Sequence, residues 1–459
     1  MAQLPVRLVG DGVAVPCIDG LERPYISLDG AASTGALPAV AERVAEFLPW
    51  YASIHRATGY KSRLATTAYE DARADALSFA GKQDSSDVAV ICRNTTDAIN
   101  HLAYRLPLSK DDVVVTTVVE HHANFLPWGR VARRRYVECG PDGTFSVDQV
   151  AAALDEHPKP QLLAVTGASN VTGWLPPLDL ILDAAHARGV PVLVDAAQLA
   201  PHAPLPPDAD FLAWSGHKMY APFGAGVLIG PRDVFSQGDP FLHGGGAVDI
   251  VDLDEVVWTD PPDREEAGSP NVVGAVAMAT AMGELAAIGW PAIRAHEREL
   301  ASQLRAGLTA IQGVTVLGPS LETPTLAVAS FVVDDVPHAL MAARLGAEYG
   351  IGVRHGCFCA HPYLIRLLGV SPEEQAAFRR GVRSGDRRLI PGAVRASATL
   401  STTAEEVDVF LSAVADIVGG KPPPVRYAQD EHTGDFWPEL EVPGWSAAGR
   451  SLGASCGRG

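Results

Sequence analysis

The sequence has few cysteines, no long apolar run and no recognisable targeting segment. Six cysteines spread over 459 residues do not make the dense framework of a disulfide-stabilised secreted domain. No segment approaches the ~20 consecutive apolar residues of a membrane-spanning helix. The first residues, MAQLPVRLVGDG, lack the charged-then-apolar pattern of a signal peptide. We therefore expect a cytoplasmic protein with no membrane partner.

Basic residues are also scarce relative to acidic ones. There are 36 Lys and Arg against 54 Asp and Glu, which gives a formal net charge of −18. So acidic a surface disfavours nucleic acid and anionic membranes, and we expect neither as a partner. Hydrophobic residues at 47% and charged residues at 20% are typical of a soluble globular protein. The length suits two packed units better than one core.

Apolar, strand-like segments alternate with helical segments over residues 87–230. The strand-like segments are DVAVIC, DVVVTTVV, QLLAVTGAS, VPVLVDAAQ, FLAWSG and GAGVLIG. A helix between two of them, PPLDLILDAAHARG, begins with prolines, has apolar residues at helical spacing and ends at a glycine. This alternation predicts an α/β fold with a mostly parallel sheet that helices cover on both faces.

The pattern changes after residue 289. A helix rich in Arg and Glu is predicted over 291–311, followed by the strands VTVLG and TLAVASFVV, a helix near 338–349 and the strand IGVRHG. These elements predict a smaller α+β domain. We predict an N-terminal segment that packs with the small domain, a large domain, the small C-terminal domain and a Pro-rich acidic tail that wraps the surface. Their bounds are 1–35, 36–289, 290–418 and 419–459.

Polar groups follow the predicted strands at the edge where open α/β sheets bind ligands. Asn94, Thr95 and Thr96 begin a helix after DVAVIC, and a helix N-terminus attracts an anion such as phosphate. An ordinary helix cap is the simpler interpretation of these three residues. Asp195 ends VPVLVD and Gln198 follows it. A carboxylate there can keep a proton on a heterocyclic nitrogen, or can simply cap a helix.

Two histidines and a lysine complete this set. His121 and His122 could bind a metal, although chain neighbours rarely converge on one ion, and a flat imidazole can equally stack on a flat ring. Ser215 and His217 flank Lys218 after FLAW. An anion-binding helix, a stacking ring, a carboxylate and a lysine 23 residues beyond it are the groups that pyridoxal 5′-phosphate (PLP) requires. The lysine amine forms a Schiff base, and the carboxylate keeps the pyridine nitrogen protonated.

Several segments in order resemble the class V aminotransferase family of fold-type I PLP enzymes. They are SGHKMYAPFGAGVL, EHHANFLPW, VDAAQLAPH, EAGSPN and VRAS. Within the family they are similar to the branch of the cysteine desulfurases and selenocysteine lyases, from YISLDGAAST near residue 25 to STTAEEVDVFLSAV near 414. The resemblance implies the PLP-transferase fold of type I, with a mostly parallel seven-stranded sheet in the large domain. It also implies a homodimer whose site lies near the subunit interface.

The resemblance implies roles for residues around the cofactor. Lys218 would form the Schiff base with PLP, Asp195 would pair with the pyridine nitrogen, and Gln198 would pair with the ring hydroxyl. His121 would stack on the ring and take part in catalysis. The residues implied to hold or adjoin the phosphate are Thr95, Thr96, Ser215 and His217.

For the substrate, an amino acid, the resemblance implies that Arg395 in VRAS binds the carboxylate bidentately. Asn170 and Arg354 would assist. The segment EAGSPN matches the one that reaches a neighbouring subunit's phosphate, but Val272 follows it where the family usually has threonine. No metal site is predicted.

The segment RHGCFCAHP, residues 354–362, carries the predicted reaction. In the resembling desulfurases it holds the cysteine that takes up sulfur as a persulfide, and Cys359 occupies that position. Arg354 would lower the pKa of its thiol. Three other interpretations stay open. His355, Cys357, Cys359 and His361 would share one face of an extended strand as a metal site. The two cysteines could form a redox pair, although a one-residue spacer strains a disulfide, or they could be small core residues.

The 35 residues between Cys359 and Arg395 depart from the resembling desulfurases, which have a much shorter link. They include the helix-like SPEEQAAFRRGVRSGDRRL and could cap the site or adapt it to another amino acid. We predict a PLP-dependent enzyme of the cysteine desulfurase-like group that cleaves the C–S bond of L-cysteine or a cysteine derivative. A sulfur-acceptor protein is a candidate partner.

Other activities could use the same PLP site. A C–S lyase acting by β-elimination, an aminotransferase and an epimerase are alternatives that the residues around Lys218 do not separate. A PLP-fold scaffold without catalysis is disfavoured, because Lys218, Asp195 and Arg395 are all present.

Overall fold

The computed structural model describes residues 4–55, 58–82 and 86–440. The described chain forms strands and α-helices with the following bounds. The strands are β1 (Ala14–Pro16), β2 (Glu22–Pro24), β3 (Ile26–Ser27), β4 (Asp87–Cys92), β5 (Val113–Thr117), β6 (Arg133–Val137), β7 (Leu162–Thr166), β8 (Val192–Asp195), β9 (Phe211–Ser215), β10 (Gly226–Pro231), β11 (Val248–Val251), β12 (Val256–Trp258), β13 (Val314–Leu317), β14 (Val328–Val333), β15 (Ile351–Gly352), β16 (Arg354–Gly356), β17 (Ala393–Ser397), β18 (Tyr427–Gln429) and β19 (Phe436–Pro438). The helices are α1 (Pro38–Phe47), α2 (Tyr60–Phe79), α3 (Thr95–Arg105), α4 (Trp128–Val131), α5 (Val147–Asp155), α6 (Leu178–His186), α7 (Arg232–Ser236), α8 (Val272–Ile288), α9 (Trp290–Ala310), α10 (His338–Tyr349), α11 (His361–Leu367), α12 (Pro372–Ser384) and α13 (Ala404–Val418).

The largest sheet has seven strands in the order β4–β10–β9–β8–β7–β5–β6. Only β10 runs antiparallel to its neighbours in this sheet, and the other adjacent pairs are parallel. The carboxyl ends of the parallel strands therefore meet at one edge, with Thr166 opposite Asp195 and Asp195 opposite Ala213. The predicted fold, a large and mostly parallel sheet of seven strands, is confirmed.

Alternate residues of the central strands pack into different hydrophobic clusters. Val194 and Leu212 belong to the cluster on one face of the sheet, whereas Leu193 and Ala213 belong to the cluster on the other. Side chains of a strand alternate between faces, and helices cover both faces here. The strands are consequently apolar throughout, which explains why they appear in the sequence as unbroken apolar runs.

One strand of the large sheet, β6, was absent from the sequence prediction. It reads RRRYV and lies at the edge of the sheet. There Arg134 lies over the rings of Phe125, at 4.8 Å, and Tyr136, at 5.6 Å, and Arg135 donates to the carbonyl of Ala153 over 2.7 Å. An edge strand with so many charged residues has no apolar periodicity, so hydropathy could not identify it.

A second, antiparallel sheet has the order β13–β14–β17–β16. Helices α9, α10 and α13 pack around it, and their shared core includes Leu304, Phe331 and Phe410. The N-terminal strand β3 pairs in parallel with β15, and Ile26 joins the same core. The N-terminal segment therefore packs against the core of the second sheet. Before α1, the N–H of Thr34 donates to the carbonyl of His217, just after β9 of the first sheet, over 2.9 Å.

The segment between Cys359 and Arg395 contains α11, α12 and a loop. A reciprocal capping box of Ser371 and Glu374 begins α12, as its Ser-Pro-Glu-Glu sequence favours. The part of the tail that the structure describes forms the β18–β19 hairpin, and the Tyr427 hydroxyl donates to Glu348 of α10 over 3.1 Å. Residues 441–459 of the predicted tail lie outside the described residues.

Among the described helices, none is by itself long and apolar enough to cross a membrane, and only α8 and α9, which meet at an angle of 84°, pass by length and composition as a bent pair.

The second core depends on Phe410, which is 0% exposed and meets Phe331 edge to face, with ring centroids 6.2 Å apart. Replacing Phe410 with Ala leaves a cavity, and we expect the free energy of unfolding to fall by about 3–5 kcal/mol. Denaturant unfolding followed by circular dichroism measures this. The control is Val409→Ala on the same helix, a residue that is 48% exposed, which should change stability by less than about 0.5 kcal/mol. Equal effects of the two variants would contradict the packing described.

Candidate active site

A cavity of about 670 Å³ lies at the carboxyl edge of the large sheet, and residues of the second sheet form its opposite wall. Its position agrees with the expectation for open α/β sheets. All twelve residues singled out from the sequence line it. They are Thr95, Thr96, His121, Asn170, Asp195, Gln198, Ser215, His217, Lys218, Arg354, Cys359 and Arg395.

Lys218 lies in a short 3₁₀ turn directly after β9 and reaches into the cavity. Burial lowers the pKa of its amine to about 8, although the carboxylate of Asp195 acts in the opposite direction. An amine with this pKa is partly unprotonated near neutral pH, so its nitrogen can attack an aldehyde.

Asp195 ends β8, the strand next to β9, and is almost fully buried. Its carboxylate accepts a hydrogen bond from the N–H of Ala197 over 3.0 Å. Burial raises the pKa of Asp195, while this bond and the charge of Lys218 lower it. A buried carboxylate is costly unless it is paired, and a protonated ring nitrogen would be a suitable partner.

His121 presents a neutral ring to the cavity. Its Nδ1 accepts from the N–H of Ala123 over 3.0 Å, which leaves the proton on Nε2. Burial and the charge of Lys218 lower the pKa of His121 to about 3. The adjacent Glu120 carboxylate accepts from the side chain of Asn124 (2.7 Å) and the N–H of Thr166 (3.0 Å), and it thereby ties the ends of β5 and β7 together.

The start of α3 forms an anion-binding corner. Asn94 caps the helix, and both the N–H and the hydroxyl of Thr95 contact the Ser215 hydroxyl, at 2.7 and 2.6 Å. A side chain at Gly226 would lie 2.7 Å from the Cα of Asn94, so only glycine allows this close approach. Within the described chain, the N–H and hydroxyl of Thr96 make no hydrogen bond. They are free to bind an anion at the positive end of α3.

The opposite wall carries two arginines and a carboxylate. Arg395 on β17 is fully buried and donates to the carbonyl of Asn170 (2.8 Å) and to Asp29 (3.2 Å). Arg354 binds Asp29 through Nε and Nη2 at 3.1 and 2.9 Å. One carboxylate thus faces two guanidinium groups, which leaves positive charge for a substrate carboxylate. Asp29 lies in the segment YISLDGAAST, where the family resemblance begins, but the sequence does not indicate a role for it.

Cys359 lies in a turn with an unusual backbone. Phe358 and Cys359 have φ angles of 53° and 55°, in the left-handed region that costs a non-glycine residue about 1–3 kcal/mol. The turn is held by the Asn170 side chain, which donates to the Phe358 carbonyl (2.7 Å), and by the His122 N–H, which donates to the Cys359 carbonyl (2.7 Å). The Cys359 thiol is free and exposed, so Cys359 is not a core residue.

The alternative of a metal site required residues 355–361 to form one extended strand, and this was wrong. Strand β16 ends at Gly356, so the histidines and cysteines that follow do not alternate on one face. His361 instead stacks on His122, with ring centroids 5.2 Å apart and planes at 6°. Cys357 and Cys359 are both free thiols, and the alternative of a redox pair stays a prediction.

Another cluster could be mistaken for a metal site. Within the described ranges, the only group of three or more potential ligands with atoms mutually within 4.8 Å is His55, Glu70 and Asp263. Arg73 forms ion pairs with both of its carboxylates, so an arginine already compensates their charge.

The sequence does not indicate most residues of the outer part of the cavity. His338 on α10, Arg387 and Arg388 in the loop, and Asp435 in the tail hairpin line it together with His355, which the sequence indicates only as a possible metal ligand. The predicted insertion and tail carry the two arginines and Asp435, but neither hydropathy nor spacing indicates which residues of such segments turn toward a site.

The class of protein follows from the sheet and from the placing of Lys218 and Asp195 on adjacent strand ends, which is the arrangement of fold-type I PLP-dependent enzymes. Comparison with known proteins then gives the family: residues 26–410 match the model of Aminotransferase class-V. The chain belongs to this family, whose cofactor is PLP.

Similar proteins agree with this assignment. The chain is 32% identical to a cysteine desulfurase of Haloferax volcanii over 392 residues, which cover 82% of this chain and 91% of that protein. It is 36% identical to a cysteine desulfurase of Dickeya dadantii over 357 residues, 75% and 85% of the two chains. The apo structure of the cysteine desulfurase from Thermococcus onnurineus has a TM-score of 0.76 at 30% identity, covering 86% of this chain and 95% of that one. The predicted family, its branch and an enzyme of the cysteine desulfurase-like group are confirmed.

The pairing of Lys218 with Asp195 can be tested by titration. Replacing Asp195 with Asn removes the negative charge that favours the ammonium form, so we expect the pKa of Lys218 to fall below about 8. The pH dependence of reductive methylation at Lys218 in the apoprotein, read by mass spectrometry, measures this pKa. Asp155→Asn is the control, because Asp155 is exposed and pairs with Arg188 elsewhere on the surface. A midpoint unchanged by Asp195→Asn would contradict the proposed coupling.

Proposed function

We propose that the chain is a PLP-dependent cysteine desulfurase that takes the sulfur of L-cysteine, or of a cysteine derivative, onto Cys359. One observation carries this proposal. The exposed thiol of Cys359 lies in the same cavity as the amine of Lys218 and the guanidinium of Arg395.

The residues of the cavity fit PLP. Lys218 would hold the aldehyde carbon, and the buried carboxylate of Asp195 would accept a hydrogen bond from the ring nitrogen. The ring would stack on neutral His121, and Gln198, whose Nε2 donates to the Ala31 carbonyl over 2.6 Å, would contact the ring hydroxyl. The N–H and hydroxyl of Thr96, which make no hydrogen bond within the described ranges, suit a phosphate oxygen. When bound, PLP withdraws electrons from the amino acid and stabilises the carbanions that C–S cleavage requires.

Arg395 would bind the substrate carboxylate. Its guanidinium is held by the carbonyl of Asn170 and by Asp29, it lies 5.0 Å from the ring of Phe358, and its Nε has no hydrogen-bond partner within the described chain. Burial lowers the pKa of Arg395 to about 10, a value at which it stays cationic at neutral pH. A buried cation of fixed geometry is suited to bidentate recognition of a carboxylate.

Cys359 would accept the sulfur. Its thiolate attacks the substrate sulfur, an S–S bond forms as the Cβ–S bond breaks, and the electron pair of that bond stays on Cβ. A proton delivered to Cβ completes alanine, and Cys359 is left as a persulfide. Lys218, with a pKa of about 8, can accept and return protons during these steps. Substrate and thiol together supply every atom and electron, so no external oxidant is needed.

A C–S lyase acting by β-elimination is the second candidate. It would use Lys218, Asp195 and Arg395 in the same way but would not need Cys359. The outer wall formed by the inserted loop and the tail hairpin favours this candidate, because such a wall offers contacts to a substituent on the substrate sulfur. A sulfur-acceptor protein and the cytoplasmic location stay predictions.

We also propose a homodimer. The β11–β12 hairpin exposes a run of apolar side chains, including Ile250 at 64% and Leu253 at 98%, and contiguous apolar surface of this kind marks association sites. The nearby segment EAGSPN begins with the half-buried Glu266, whose carboxylate accepts from the N–H of Ile91 over 2.7 Å. Val272, where the family usually has threonine, is 3% exposed and packs inward, so its side chain offers no contact to a neighbour.

Replacing Leu253 with Asp should weaken the dimer, because a carboxylate would have to be buried in the apolar contact. We expect sedimentation equilibrium to show a dissociation constant raised at least about tenfold. Leu180→Asp, at an equally apolar exposed position of α6 (57% exposed), should leave the dimer intact. A wild-type protein that is monomeric, or a variant that dimerises normally, would refute this interface.

The role of Cys359 is tested by the products from L-cysteine. We expect wild type to form alanine, and to release sulfide once an added dithiol reduces the persulfide, and Cys359→Ala to lower alanine formation to about a hundredth or less, because the sulfur-accepting group is gone. Cys139→Ala, which removes a half-buried thiol outside the cavity, should leave the rate unchanged. Lys218→Ala should abolish all turnover. Equal formation of pyruvate and ammonia by wild type and Cys359→Ala would show β-elimination instead.

A further inference from the structure

The outer wall of the cavity, which we call the mouth, comes from two segments outside both sheets. One is the loop after α12, and the other is the turn of the β18–β19 hairpin. The mouth residues that line the cavity are Arg387, Arg388, Ile390, Gln429, Thr433, Gly434 and Asp435.

The two segments of the mouth form one unit. The N–H of Arg387 donates to the carbonyl of Glu431 (2.9 Å), and the side chain of Gln429 donates to the carbonyls of Arg388 (3.1 Å) and Gly434 (3.0 Å). Gly434 has φ = 82°, and a side chain there would lie 2.7 Å from the Arg387 carbonyl oxygen. Glycine is therefore required at this crossing.

Two histidines fix the mouth to the second sheet. The Nε2 of His338 lies 3.2 Å from the carbonyl of Ile390, and its Nδ1 lies 3.3 Å from the Nδ1 of His355. The Nε2 of His355 is 3.3 Å from Asp435. All four ring nitrogens face a partner, so these histidines hold the mouth in place beside β16 and Arg354.

Positive charge predominates in the cavity, although the whole chain carries −18. Its described lining has five basic side chains of Lys and Arg and two carboxylates, namely Lys218, Arg354, Arg387, Arg388 and Arg395 against Asp195 and Asp435. A cleft lined by one sign of charge attracts ligands of the other sign.

Most of these cations have carboxylate partners, but Arg387 has none among the residues that the structure describes. Arg354 and Arg395 share Asp29, and Arg388 pairs with Asp386. The guanidinium of Arg387 donates only to the backbone carbonyl of His432, over 2.9 Å, and forms no ion pair among the described residues. Its remaining N–H groups can take an anion.

We propose that the mouth is a second anion-binding subsite, centred on Arg387, that receives a negatively charged group attached to the sulfur of a cysteine-derived substrate. The inference rests on the proposed function, which fixes how the substrate lies. The amino end of the substrate would bind the cofactor aldehyde in place of Lys218, and Arg395 would bind the α-carboxylate, so the sulfur would face Cys359 and its substituent the mouth. L-Cysteine itself carries no substituent on sulfur for the mouth to bind.

A matched pair of compounds tests the subsite. S-(2-carboxyethyl)-L-cysteine and S-(2-carbamoylethyl)-L-cysteine have the same length and shape and differ in one negative charge. We expect the PLP-loaded wild type to bind the acid about tenfold more tightly than the amide, as one charge-assisted hydrogen bond allows. The dissociation constants come from the change of cofactor absorbance in a stopped-flow instrument, before any turnover.

Arg387→Gln keeps a donor for the His432 carbonyl and removes the charge, so the ratio of the two dissociation constants should fall toward one. Arg383→Gln removes the same charge from an exposed position of α12 outside the cavity, and it should keep the wild-type ratio. Equal binding of both compounds by wild type, or an unchanged ratio in Arg387→Gln, would overturn the subsite. Failure of the proposed function shows separately, as the absence of both alanine and pyruvate from L-cysteine.

Discussion

The site depends on a half-buried amine and a buried carboxylate at the ends of two neighbouring strands. Asp195 ends β8, and Lys218 follows β9 by three residues. Burial disfavours the charge on each, which raises the pKa of Asp195 and lowers that of Lys218, while their mutual attraction opposes both shifts. Such a pair stabilises the fold little by itself. The apolar strands on both sides hold the pair in place. Because the same surroundings lower the pKa of Lys218, its amine is reactive near neutral pH.

The second sheet completes the site, because neither wall alone could bind an amino acid. Arg395 on β17 reaches across to the carbonyl of Asn170, which follows β7 of the first sheet. Asn170 in turn donates to the carbonyl of Phe358, in the turn that presents Cys359. One asparagine therefore connects Arg395, the proposed carboxylate ligand, to the turn of Cys359, the proposed sulfur acceptor. The left-handed backbone at Phe358 and Cys359 is a cost that these contacts across the two walls offset.

The sequence revealed the parts of the protein that have a periodic or chemical signature. Strands buried on both faces appear as apolar runs, so six strands of the large sheet could be predicted, whereas the arginine-rich edge strand β6 could not. The residues expected around the cofactor could be predicted to lie together, because each follows a recognisable strand and matches a family motif, and they do line one cavity. The role of Asp29 could not be predicted, because a carboxylate that follows a two-residue strand has no distinctive sequence pattern. Only the fold shows that Asp29 lies between Arg354 and Arg395. The alternation of His355, Cys357, Cys359 and His361 suggested that these residues share one face of a strand. This was wrong, because the strand ends at Gly356.

The inner and outer parts of the cavity are subject to different structural constraints. The inner part of the cavity would bind a cofactor whose chemistry is common to many reactions. The side chains of this inner part lie at strand ends, and these strand ends cannot shift without disrupting the core of the large sheet. The mouth is attached through backbone hydrogen bonds between two segments outside that sheet, together with the contacts of His338 and His355. Changes in the mouth can therefore alter which substituent on sulfur is accepted while Lys218 and Asp195 stay in place. Loop and tail segments on a rigid scaffold are where substrate choice commonly varies. In this chain such a segment carries Arg387, whose guanidinium forms no ion pair with any described residue.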